Sequence, residues 1–145
     1  MTRNQIVIDA PPAAVYETLL DPAAFPKWVV GAKDVRDVDA HWPRKGSRFH
    51  HRVGVPPLTL DDNTKILDKK PNRRVVLEAR FRPLGVAKIT LQLRPKSRGR
   101  KTLVTMTERP SGGPARFVRN PVTRLGLKAR NAVSLRRLRA LVASH

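Results

Sequence analysis

Three patterns in the 145 residues predict an α+β domain in which a curved antiparallel sheet wraps a long C-terminal helix. Between Lys33 and Arg109, apolar residues alternate with period two through a succession of short segments, as half-buried strands require. Turn chemistry separates those segments: "PRKG", "PP", "KKPN", "RPLG" and "RPKSRGR". The last part of the chain then changes to a helical period, with Leu125, Ala132, Leu135, Leu138 and Val142 recurring at intervals of three, four and seven. Short turns join antiparallel neighbours, whereas parallel strands need long crossovers, so the six segments form a meander.

The elements follow in order. "NQIVIDA" alternates and reads as a first strand, with Ile6 and Ile8 on one face. Pro11 and Pro12 suit the first turn of a helix, and "PPAAVYETLL" sets Ala14, Val15, Thr18 and Leu19 at helical spacing. A second start signal comes at once, with Asp21 as cap and Pro22 in the first position. Pro26 limits this second helix to about two turns. The meander comprises "KDVRDVDAHW", "SRFHHRVGV", "LTLDDNTKILD", "RRVVLEARF", "VAKITLQL" and "KTLVTMTER". "PSGGPA" leads into the final helix, which Pro121 starts or kinks. No repeat, low-complexity tract or linker interrupts the chain, so residues 1–145 are expected to form one domain.

A domain of this length buries roughly 68–70% of its unfolded surface. Its 40% apolar content is ordinary for a globular protein. No run approaches the roughly 18 apolar residues of a membrane span, and "MTRNQIVID" lacks the apolar core of a secretory signal. A cytoplasmic location is therefore expected. The absence of cysteine excludes disulfides, thiolate metal sites and cysteine nucleophiles. The unusual quantity is charge: 30 Lys and Arg against 11 Asp and Glu, a net +19. Such an excess attracts anionic lipid, acidic proteins or nucleic acid, and equally serves solubility.

The order of one strand, two short helices, six strands and one long helix resembles the START-like (SRPBCC) superfamily, the helix-grip fold. "IVIDAPPAAVYETLLDPAAFPKW", "PSGGPARF" and "RN...LRRLRALV" carry the resemblance, which covers nearly the whole chain. They are most similar to bacterial members of the polyketide cyclase/dehydrase type. The resemblance implies the fold and a ligand cavity between sheet and helix. It leaves activity open, because the superfamily includes lipid carriers, aromatase/cyclases, hydrolase-like members and ligand-sensing modules.

Folding each hairpin about its turn predicts the register. Around Pro56-Pro57, Val53 falls opposite Leu60, His51 opposite Asp62, and Phe49 opposite Thr64. Around "KKPN", Ile66 falls opposite Val75 and Thr64 opposite Leu77. Around "RPLG", Phe81 falls opposite Ala87, Ala79 opposite Ile89, and Leu77 opposite Leu91. All of these share one face, since strand side chains alternate, and Val104 and Met106 continue it. Val38, Ala40 and Trp42 extend the face at the other edge. The candidate ligand-binding residues are accordingly Phe49, Val53, Leu60, Leu77, Ala79, Phe81, Ile89, Leu91 and Met106. Trp28 joins them from the short helices and Leu125 from the long one. The short helices then have a clear role: Phe25 and Trp28 cover the opening of the curved sheet.

His51 and Asp62 interrupt this apolar face together. A carboxylate beside an imidazole sets its tautomer and raises its pKa, so the two are candidate catalytic residues, an acid–base or ligand-binding pair. The plain alternative is a buried pair that satisfies itself. His50 and His51 cannot share a metal ion, because adjacent strand residues point to opposite faces. "SGGP" lacks the Lys-Ser/Thr of a phosphate loop. The serines, Ser134 on the basic helix among them, have no evident base, and no catalytic triad is legible. Neither metal nor cofactor is expected.

The turns "GVPPL", "RFRPLG" and "RPSGGP" share the end expected to form the pocket mouth. "PRKG", "KKPNRR" and "RPKSRGRK" share the other and hold the denser cluster of cations. Aromatic residues are few and expected to be buried, which argues against nucleic acid as partner. The leading functional expectation is binding of a hydrophobic or aromatic small molecule, lipid or polyketide-like, in the cavity. The alternative is a polyketide cyclase/dehydrase-type enzyme using His51 and Asp62, whose partner would be an acidic carrier protein. The third reading is a basic protein that binds an anionic membrane or nucleic acid.

Overall fold

Alternating segments build the sheet, and prolines delimit the helices. The computed structural model describes residues 2–30, 32–55, 58–81, 85–112 and 121–143, without the side chains at 33, 36, 53–55, 58–61, 81, 85, 112 and 121–123. Its elements are β1 (Thr2–Ile8), α1 (Pro12–Leu19), α2 (Phe25–Trp28), β2 (Ala32–Val38), β3 (Arg48–Val55), β4 (Leu58–Lys70), β5 (Arg74–Phe81), β6 (Gly85–Lys96), β7 (Lys101–Gly112) and α3 (Pro121–Ala143). The described strands form one sheet in the order β1-β7-β6-β5-β4-β3-β2, antiparallel throughout. This is the expected helix-grip architecture, a meander with helices on one face, and the structure places the first strand beside the last.

Pro12 opens α1 and Pro121 opens α3, where a missing N–H costs nothing. α2 is shorter than expected. Asp21 Oδ1 accepts the Ala23 amide at 3.0 Å, but the residues between form a turn, and only Phe25–Trp28 is helical. At the β4–β5 hairpin Asn72 takes φ 60°, a left-handed conformation that Asn tolerates well.

The β3–β4 register agrees with expectation: Val53 pairs with Leu60, His51 with Asp62, and Phe49 with Thr64. The next two hairpins differ by two residues. Thr64 pairs with Ala79 and Ile66 with Leu77, because the β4–β5 hairpin closes at Lys70 and Arg74, later than expected, and a bulge between Ile66 and Asp68 recovers only part of that displacement. Ala79 then pairs with Ala87, Leu77 with Ile89, and Phe81 with Gly85. A slip of two preserves the facing of every side chain, so the apolar face survives the correction. On the edge strand β2, Val38 pairs with inward Phe49, as expected, but stays 38% exposed, while Val35 packs against the core.

One cluster fills the inward face. It joins Ile8 of β1, Phe49 of β3, Ile66 of β4, Leu77 of β5, Leu91 of β6 and Val104 of β7 with Val15, Trp28, Leu135 and Leu138 of the helices. α1 lies across β5, β6 and β7, whereas α3 lies against β1 and α2.

Leu125 is 69% exposed and does not line the interior. The buried stripe of α3 runs through Asn131, Ser134, Leu135, Leu138 and Val142. At 3.6 residues per turn, Leu125 lies roughly a third of a turn away from that stripe. The sequence reading followed leucine and alanine, while the helix buries two polar residues instead.

Candidate functional site

β3 and β4 bring the expected polar pair to the inward face. His51 is wholly buried and Asp62 nearly so, and the two are direct cross-strand partners. Their side chains also engage further neighbours. His51 Nε2 lies 2.8 Å from Thr64 Oγ1, and Asp62 Oδ1 accepts the Asn63 amide at 2.9 Å. Thr64 is inward because it sits two residues beyond Asp62 on the same strand, and it is fully buried.

An aromatic group packs over the pair. The Phe25 ring lies 5.3 Å from the His51 ring and 4.8 Å from Phe49, with Trp28 edge-on at 5.9 Å. Trp42 closes the far side, 4.9 Å from Phe49, and its Nε1 donates to the Leu20 carbonyl at 2.7 Å. The one-turn α2 therefore does what its sequence implies: Phe25 and Trp28, three residues apart, cover the concave face at β3.

Trp28 differs from Trp42 in one chemical respect. It is 1% exposed, yet among the described residues its Nε1 meets no hydrogen-bond acceptor. Asn4 offers a second case: its amide donates to the Lys128 carbonyl at 3.0 Å, while its buried Oδ1 meets no donor among the described residues. Asn4 lines a cleft of about 320 Å³ between β1 and α3, together with Ile6, Ala132 and Leu135. Among the described residues, a buried donor and a buried acceptor thus stand unsatisfied, which is uncommon in a folded protein. On α1, burial pushes the Tyr16 phenol above the ordinary tyrosine range.

A second buried polar cluster was not foreseen. Glu108 of β7, 3% exposed, receives the Arg130 Nη2 at 2.8 Å on both carboxylate oxygens. The Asn131 amide donates to Glu108 Oε1 at 2.9 Å and contacts Thr2 Oγ1 at 3.3 Å. Nearby, Ser134 accepts the Val30 amide at 3.1 Å. These contacts tie α3 to β7, β1 and the segment after α2. The signal was present: Glu108 continues the inward phase of Val104 and Met106, and it is the last acid of a basic chain.

Of the expected ligand-binding residues, Trp28, Phe49, Leu77, Ala79, Ile89, Leu91 and Met106 are all buried in the one inward cluster. Val53, Leu60 and Phe81 occupy strands β3, β4 and β5, but their side chains lie outside the described residues, as do residues 56–57, 82–84 and 113–114 of the turns expected to form the mouth. Leu125 stands apart on the surface. Among the described residues no group of His, Asp and Glu has the numbers to hold a metal ion, and no helix is long and apolar enough to cross a membrane.

Residues 2–143 match the family model described as polyketide cyclase/dehydrase and lipid transport. No curated protein matches the chain by sequence. Solved structures share its fold. CV1439 from Chromobacterium violaceum is 24% identical with a TM-score of 0.69, covering 97% of this chain and 96% of its own. NE0264 from Nitrosomonas europaea is 19% identical with a TM-score of 0.75, covering 99% and 94%. DynU16, a protein in the dynemicin biosynthetic locus, is 17% identical with a TM-score of 0.67, and this chain covers 46% of it.

Proposed function

The chain belongs to the polyketide cyclase/dehydrase and lipid-transport family, and from that premise we propose that it binds a hydrophobic or aromatic small molecule between the curved sheet and α3. The carrying observation is the buried Trp28 Nε1–H, a donor without an acceptor among the described residues in a largely apolar wall. Burying apolar ligand surface supplies most of the affinity, at about 25 cal/mol per Å². A few polar groups orient the molecule: the Trp28 indole N–H, the Asn4 Oδ1 and the His51–Thr64 pair. A lipid or polyketide-like compound with one carbonyl or hydroxyl has that chemistry.

Catalysis is the second reading, favoured by the in-register burial of His51 and Asp62. For cyclisation or dehydration, His51 would exchange a proton with the substrate while Asp62 holds the imidazole in orientation. In this structure Phe25 covers the His51 ring and Thr64 occupies Nε2. Binding therefore takes precedence.

Mass spectrometry of solvent extracts from the purified protein tests the proposal. A lipid or polyphenol at near-equimolar ratio is the expected result. Chemical conversion of that compound on incubation would establish the catalytic reading instead. Extracts free of any hydrophobic compound, with no uptake from an added lipid and polyphenol mixture, would refute both.

A further inference from the structure

The outer face of the sheet carries a groove that an interior ligand leaves unused. Arg3 of β1, Arg94 of β6, and Lys70, Arg73 and Arg74 at the β4–β5 hairpin line this hollow of about 400 Å³, over a floor that includes Thr105. Strand register explains why they converge. Arg74 pairs with Gln92, Gln92 with Thr105 and Thr105 with Gln5, so one outward row runs beneath the groove. At the usual strand spacing that row is about 14 Å across.

The cations are poorly compensated. Asp68 lies 2.7 Å from Arg74. Among the described residues no carboxylate comes within ion-pair distance of Arg3, Lys70, Arg73 or Arg94. Several like charges gathered around one hollow repel each other, and an anion relieves that repulsion.

The charge continues beyond the groove. The β6–β7 turn at the same end exposes Lys96, Arg98, Arg100 and Lys101. Next to Arg94, in register, stand Leu103 and then Val7, which is 47% exposed. This end of the molecule is a broad cationic surface with an apolar spot inside it.

Those features distinguish between anionic partners. Proteins that hold single-stranded nucleic acid stack its bases on exposed aromatic rings, but Phe25, Trp28 and Phe49 are buried on the opposite face. A small phosphate would engage the groove alone and leave the cationic turn without purpose. A cluster of basic side chains flanking a small apolar patch matches a bilayer, where phosphate headgroups lie over acyl chains. We infer that this end of the outer face docks on a membrane rich in anionic phospholipid. The groove receives phosphate-bearing headgroups, and Val7 and Leu103 meet the boundary beneath them. The surface is separate from the interior, so the inference stands whatever the interior binds.

Co-sedimentation of the full chain with vesicles tests it. Vesicles of phosphatidylcholine mixed with phosphatidylglycerol should bind the protein, and vesicles of phosphatidylcholine alone should not. Binding should fall steeply with added salt. The triple substitution Lys70→Gln, Arg73→Gln, Arg94→Gln, all at exposed positions, should weaken binding about a hundredfold, since each cation near an anionic surface contributes roughly fivefold. The matched triple Arg136→Gln, Arg137→Gln, Arg139→Gln removes the same charge from the exposed side of α3 and should keep its affinity. Equal losses in both triples would show that net charge alone is at work and overturn the inference. So would a lack of binding to the anionic vesicles, or binding of DNA in their place that depends on the groove cations.

Discussion

Trp28 and Trp42 differ in how their indole nitrogens are satisfied, and the difference has measurable consequences. Trp42 donates to the Leu20 carbonyl, while Trp28 Nε1, at 1% exposure, meets no acceptor among the described residues. A buried donor left unpaired costs about 1–3 kcal/mol. Replacing Trp28 by Phe removes that cost but also some packing volume, so the two effects oppose each other. We expect the melting temperature of Trp28→Phe to move little. Affinity for a hydrophobic ligand with an acceptor should fall about tenfold, the scale of one lost hydrogen bond. A large drop in stability with unchanged affinity would show that the ring serves packing alone. The neighbouring His51–Asp62 opposition was legible in the sequence because a two-proline turn leaves little choice of register. The contact of His51 Nε2 with Thr64 was not, since it depends on rotamers that alternation does not encode.

Among elements, α3 depends most on polar contacts. The Arg130 and Asn131 side chains reach Glu108, and Ser134 reaches the Val30 amide. Glu108→Gln removes the carboxylate that Arg130 grips at 2.8 Å. Breaking a buried pair in this way costs about 3–5 kcal/mol; because the Arg130 side chain is 26% exposed, the low end of that range applies. Urea unfolding should show that loss, and amide exchange across 131–143 should accelerate. Leu125→Ser should change stability by no more than about 0.5 kcal/mol, because the residue stands 69% exposed. A leucine lining the interior would cost about 2–5 kcal/mol when truncated. The presence and extent of this helix were readable from its period and from Pro121. Its rotation was not, because the stripe it buries includes an asparagine and a serine. Two hairpin registers were likewise displaced by a two-residue shift. The error did no harm to the inward face, since an even slip restores every side chain to its side.

For the whole molecule, the order of elements sufficed to predict the meander and the side on which the helices lie. Each hairpin joins neighbours, so the order of β2 to β7 followed from counting strands and turns, whereas the place of β1 beside β7 came from the structure. The charge was legible only as a total. Which cations converge became clear once the strands were laid side by side, bringing Arg3 close to Arg73 and Arg74 from seventy positions away in sequence. The apolar inward face and the basic outer face are two independent surfaces of one sheet, and each has its own expected partner. The central claim concerns the inward one. Titration with the neutral fluorophore N-phenyl-1-naphthylamine tests it most directly, because an uncharged probe gains nothing from the cationic exterior. The account predicts saturable enhancement with one site per chain, unaffected by salt and displaced by added lipid or polyphenol. A linear, unsaturable response, or none, from the folded protein would contradict it.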